Sequence, residues 1–71
     1  MSTVKAYYVK CTADGRKTAV LTLKWVEMNA FIAEAIQFNA EVTLEIKNYL
    51  TTEVQFKTDL QMLISQQEKL N

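Results

Sequence analysis

The stretch Val42-Thr43-Leu44-Glu45-Ile46-Lys47 reads two ways, and the fold turns on the choice. Val42, Leu44 and Ile46 alternate with Thr43, Glu45 and Lys47 at the period of two that marks a strand. The same residues belong to a longer pattern. From Met28 the spacing +4, +3 selects Met28, Ile32, Ala35, Asn39, Val42, Ile46, Tyr49, Glu53, Phe56, Leu60, Leu63, Gln67 and Leu70, and ten of these thirteen are apolar. That is a heptad-like helical seam. Phe31, Ile36, Phe38, Leu50 and Ile64 flank it and widen the stripe, and the fifty-six residues from Arg16 to Asn71 contain neither Gly nor Pro.

Three arrangements of residues 27–71 follow. An unbroken helix from Glu27 to Leu70 would be ~65 Å long and could bury its seam only against another chain. A helix interrupted near Thr51-Thr52, where two β-branched residues adjoin Glu53, would fold back as a second helix; this is the preferred arrangement. The third makes residues 42–46 a strand. Asn39 is either a seam polar residue that fixes register or, as preferred here, a left-handed residue ending a helix at Phe38. Breaks are therefore expected near 39–41 and 51–53. Thr52 with Gln55 spells a capping box, as do Thr58 with Gln61 and Ser65 with Glu68.

Upstream, residues 1–26 read as a β-hairpin. Thr3 to Cys11 and Thr18 to Val26 are rich in Val, Tyr, Thr and Leu, and Asp14-Gly15 between them is the pair that a type I′ turn requires. With those two residues as the loop, Tyr8 faces Leu21, Ala6 faces Leu23, Val4 faces Trp25 and Lys10 faces Ala19. That face is almost wholly apolar and is expected to pack on the helices. The opposite face pairs Tyr7 with Thr22, Val9 with Val20, Cys11 with Thr18 and Lys5 with Lys24. It is mixed, and Lys5, Tyr7, Val9, Val20, Thr22 and Lys24 are the expected partner-contact residues.

The expected class is α+β, a single domain with the order ββαα: the hairpin, then one long or two consecutive helices. A chain of 71 residues supplies a core worth no more than ~3 to 5 kcal/mol without a staple. Cys11 is the only cysteine and there is no histidine, so neither a disulfide nor a zinc site of the usual ligand set provides one. Association of helices in a homodimer, or with a protein partner, is the remaining expectation, through Ile46, Tyr49, Phe56, Leu60 and Leu63.

The net charge of zero conceals an asymmetry. Residues 1–26 carry five cations against Asp14 and residues 27–71 carry seven acids against three lysines, so the two parts are +4 and −4. A basic hairpin beside an acidic helical region suits an acidic partner surface or a second copy. No signal-peptide pattern opens the sequence, and no apolar run approaches the ~20 residues of a membrane span. An intracellular, cytoplasmic protein away from membranes is expected.

No catalytic constellation is present. General acid–base chemistry near neutral pH would need a strongly perturbed carboxylate or lysine in place of histidine, and Gly15 is the only glycine, which excludes a glycine-rich phosphate loop. Glu41 and Glu45, four residues apart on a helix, form the only conceivable hard-metal pair, and Cys11 reads as a small hydrophobe. No catalytic residue, metal or cofactor is expected.

Thr22-Leu23-Lys24-Trp25, a helix over 27–38, a break at Asn39-Ala40 and a second helix containing Glu45-Ile46-Lys47-Asn48-Tyr49-Leu50 together resemble the ribbon-helix-helix repressors, over fewer than half the residues. The resemblance implies a dimer that reads DNA with Val20, Thr22 and Lys24. It departs from that family at apolar Val20, at the missing glycine of the inter-helix turn, and in a preceding strand that already pairs with this one. The leading expectation is a small non-enzymatic interaction protein, an adaptor, inhibitor or assembly factor, with a DNA-binding regulator as the alternative.

Overall fold

A computed structural model describes residues 2–70, with side chains through Gln67. The order is β1 (Val4–Ala13), β2 (Arg16–Thr22), α1 (Trp25–Phe38), β3 (Val42–Thr51) and α2 (Glu53–Leu70). The class is α+β as expected, but the order is ββαβα, because a third strand lies between the helices.

The hairpin forms in the expected register, with Tyr8 opposite Leu21 and Lys10 opposite Ala19. Asp14 at φ 52° and Gly15 at φ 78° both occupy the positive-φ region that a type I′ turn demands. The ladder stops at Tyr7 with Thr22. The expected pairs of Lys5 with Lys24, Ala6 with Leu23 and Val4 with Trp25 do not form, because the chain leaves the sheet and Trp25 opens α1.

A short network starts that helix. Thr22 Oγ1 accepts the Lys24 amide at 3.1 Å and donates to Glu27 Oε2 at 2.6 Å. The Glu27 carboxylate thus sits in the first turn, where the helix dipole favours it. At the other end Asn39 Nδ2 donates to the Ala35 carbonyl at 2.9 Å, satisfying an acceptor the helix leaves open. Asn39 itself is extended, at φ −133°, and not left-handed as expected. The side chain does the capping and leaves the backbone free to run straight into β3.

β3 pairs with β1 along its whole length, from Val4 with Thr51 to Ala13 with Val42, without a bulge. The sheet order is β2-β1-β3, so β2-α1-β3 is a crossover between two edge strands with β1 between them, a split β-α-β unit. Residues 42–51 are strand because both periods fit them and only the strand gives β1 a second partner. The seam through Ile46 and Tyr49 is therefore broken: on β3 these two side chains project to opposite faces.

Each face carries one helix. Over the first lie Phe31 and Ala35 of α1, packed with Cys11, Ala13, Val42 and Leu44. Over the second, α2 crosses from β3 to β2: Tyr49 meets Asp59, Leu63 lies by Tyr8 and Leu21, and Gln67 Nε2 donates to the Ala19 carbonyl at 2.7 Å. Thr52 starts α2, its Oγ1 accepting the Gln55 amide at 3.2 Å. Of the three sequence capping boxes this is the one at a helix start; Thr58 lies inside α2, where its hydroxyl donates to the Val54 carbonyl.

The fully buried residues, Ala6 and Val9, belong to β1, the strand covered on both edges and both faces. The Cα envelope measures 43 × 26 × 14 Å. Three strands ~4.8 Å apart account for the narrow dimension, and α1 leaves Ile46 and Leu50 of β3 exposed.

Candidate interaction surface

The expected partner-contact face is the one that α1 covers. Val9 is inaccessible and Thr22 is 5% exposed, while Tyr7 and Val20 are half-buried. Lys5 lies at the end of that face with its ammonium 5.7 Å from the Tyr7 ring centre, and Lys24 is the residue before α1. These six residues do not form one open surface, because α1 lies over Val9 and Thr22 and leaves only Lys5 and Lys24 exposed. The helical seam is corrected likewise. Ile46 and Tyr49 are on β3, whereas Phe56, Leu60 and Leu63 share one stripe of α2 and are half-buried over the sheet of their own chain.

Large apolar side chains stand exposed at Phe38 and, on α2, at Val54, Met62 and Ile64, but the ones that adjoin a sheet edge are on the β3 side of the α1 layer. Phe31, Glu34 and Phe38 line a cleft of about 260 Å³ with Arg16 and Thr18 of β2, which places that flank of α1 above β2. The opposite flank, Trp25, Ile32 and Ile36 at helical spacing, therefore lies on the β3 side. Beneath it the outward alternation of β3 presents Ile46 and Leu50. Ile46 is 49% exposed, Leu50 72% and Ile36 61%. A wall of Trp25, Ile32 and Ile36 and a floor of Ile46 and Leu50, with the exposed Asn48 between them on the same face, make a mainly apolar step down to the sheet edge.

The edge itself has few of the usual guards. Proteins blunt edge strands with shortness, charged side chains, proline, bulges or a covering helix. β3 is ten residues long with an unbroken register and contains no proline. Its charges, Glu45 and Lys47, lie on the α2 face and approach each other to 3.9 Å while remaining mostly exposed, a pair worth little to the isolated chain. β2, the other edge, is seven residues long and begins with the exposed cations Arg16 and Lys17.

A compact monomer of 8.2 kDa exposes about 4,500 Å², and this chain exposes 5463 Å². The excess of roughly 950 Å² goes with the elongated envelope and with apolar side chains exposed on α2, such as Val54 and Met62, as well as on β3.

Other chemistry finds little footing. Cys11 is buried under α1. Glu41 and Glu45, adjacent on a helix, are ~13 Å apart along extended chain, and among the described residues no three His, Cys, Asp or Glu side chains come together. The second helix required for a ribbon-helix-helix arrangement, over 45–50, is β3. Its reading strand, β2, lies at the sheet edge with Val20 and Thr22 turned under α1. Among the described residues no helix is long and apolar enough to cross a membrane.

The alternation of residues 42–47 is the sequence signal for this edge; its exposure has none, since that depends on where α1 lands. No protein-family model matches the chain, and no curated protein or solved structure is detectably similar to it.

Proposed function

We propose that this chain is a small non-enzymatic protein-interaction module, an adaptor, inhibitor or assembly factor, which binds protein through the β3 edge and the apolar step beside it. The observation that carries the reading is Ile46 and Leu50 standing exposed on a ten-residue edge strand of unbroken register, with neither proline nor bulge. Unpaired main-chain donors and acceptors supply affinity to an incoming strand, and side chains of one face supply selectivity. The apolar floor and wall add the hydrophobic term, at ~25 cal/mol per Å² buried.

The test is affinity capture from an extract of the organism that makes the protein, with wild type and the double variant Ile46→Lys, Leu50→Lys as parallel baits. Proteins, including further copies of the chain, held by wild type and lost from the variant support the reading. Identical capture by both baits overturns it. Both substituted side chains are exposed, so circular dichroism of the variant should match wild type.

A further inference from the structure

We propose that the occupant of the β3 edge is β3 of a second copy, paired antiparallel about a two-fold axis through Ile46, so that two chains form one six-stranded sheet. This rests on the reading of β3 as the binding edge and adds the partner and the register.

The register follows from three constraints. A two-fold axis normal to the sheet keeps both α1 layers on one side, so residues directly opposite must come from the same face. Only registers centred on a residue meet this. Centring on Glu45 sets Glu45 against its own copy, and centring on Lys47 does the same for Lys47; like charges directly opposite are unfavourable. Centring on Leu44 or Asn48 shortens the ladder at one end of the strand. Centring on Ile46 pairs everything from Val42 to Leu50.

The chemistry of that register is self-complementary. On the α2 face Glu45 of each copy lies opposite Lys47 of the other, twice by symmetry. On the α1 face Ile46 meets Ile46, and Val42 meets Leu50 and Leu44 meets Asn48, each twice, so that one amide per strand interrupts an otherwise apolar row. The two walls of Trp25, Ile32 and Ile36 then face each other across a floor made by both strands.

The experiment is sedimentation equilibrium at micromolar concentration with wild type and two charge variants, Glu45→Lys and Lys47→Glu. Both positions are exposed, with side-chain accessibilities of 55% and 66%, so the fold should tolerate either change. Wild type should sediment at twice the chain mass. Each variant alone should dimerise more weakly by about tenfold or more, since two attractive pairs become repulsive.

Mixing the two variants should restore the dimer. The reversed charge at position 45 of one chain then opposes the reversed charge at position 47 of the other, and the native Lys47 of the first opposes the native Glu45 of the second. A monomeric wild type overturns the proposal, and a dimer indifferent to both charges, or variants that fail to complement, overturns the register. A monomer that still captures protein through Ile46 and Leu50 removes the second copy while leaving the interaction-module reading intact.

Discussion

The Tyr49 hydroxyl on β3 donates a hydrogen bond to Asp59 Oδ2 on α2 at 3.2 Å, and Gln55 Nε2 donates to the other carboxylate oxygen at 2.9 Å. This is the polar join between the last strand and the last helix. Burial, and then the charge and hydrogen bond of Asp59, raise the Tyr49 phenol above its ordinary value of 10.0. The phenol thus holds its proton more tightly folded than unfolded. Its contribution is complete below about pH 10 and is lost as pH rises through the folded value. Tyr49→Phe should cost about 1 kcal/mol at neutral pH and lose less stability than wild type above pH ~10. Urea denaturation at neutral pH and above pH ~10 measures both; parallel losses would mean that the Tyr49 phenol is not raised on folding.

Thr22 and Leu23 exchange the importance that the hairpin pattern assigns them. Extending the hairpin puts Leu23 in the core and Thr22 outside, yet Thr22 is 5% exposed and Leu23 38%. Thr22→Ala removes a buried hydroxyl that serves both Lys24 and Glu27, and should destabilise by about 1 to 3 kcal/mol. Leu23→Ala should cost less. Thermal unfolding of the two variants decides the order.

Gly15 has open space around it, with nothing within 4 Å of an added Cβ, so a substitution there tests backbone conformation alone. At φ 78° Gly15→Ala should cost about 1 to 2 kcal/mol. A cost near zero, read by denaturation, would mean that the turn is not type I′.

Thr52→Ala should destabilise by about 1 kcal/mol through loss of the cap on the Gln55 amide. Thr58→Ala, inside α2, should be neutral or slightly stabilising, since its hydroxyl bonds back to the Val54 carbonyl. Chemical denaturation of both variants separates a cap from a mid-helix threonine.

The legible parts of the fold are those set by neighbouring residues. Asp14-Gly15 fixes the turn, the alternation around Tyr8 and Leu21 fixes the register, and Thr52-Gln55 marks the start of α2. The β3 segment reads wrongly as helix because Val42, Ile46 and Tyr49 satisfy a helical spacing as well as an alternating one, and the deciding fact, a free edge on β1, is not local. The same non-local fact hides the surface: Tyr7, Val9, Val20 and Thr22 look available until the crossover from β2 to β3 lays α1 over them, leaving Lys5 exposed at the end of the face. Phe56, Leu60 and Leu63 do share one helix face, but that face is used within the chain.

The central position of β1 has a consequence for how the molecule assembles. The strand made first is the one that every later layer needs, and its ladder with β3 joins residues from 29 to 47 positions apart. The hairpin closes locally, whereas closing the β3 ladder first requires the long loop containing α1 to lose its freedom, an entropic cost that slows folding. On the ribosome, β1 and β2 must therefore wait as an incomplete ribbon with one side of β1 unsatisfied until Thr51 has emerged. During that interval the edge reserved for β3 is the chain's most vulnerable point for pairing with the wrong strand.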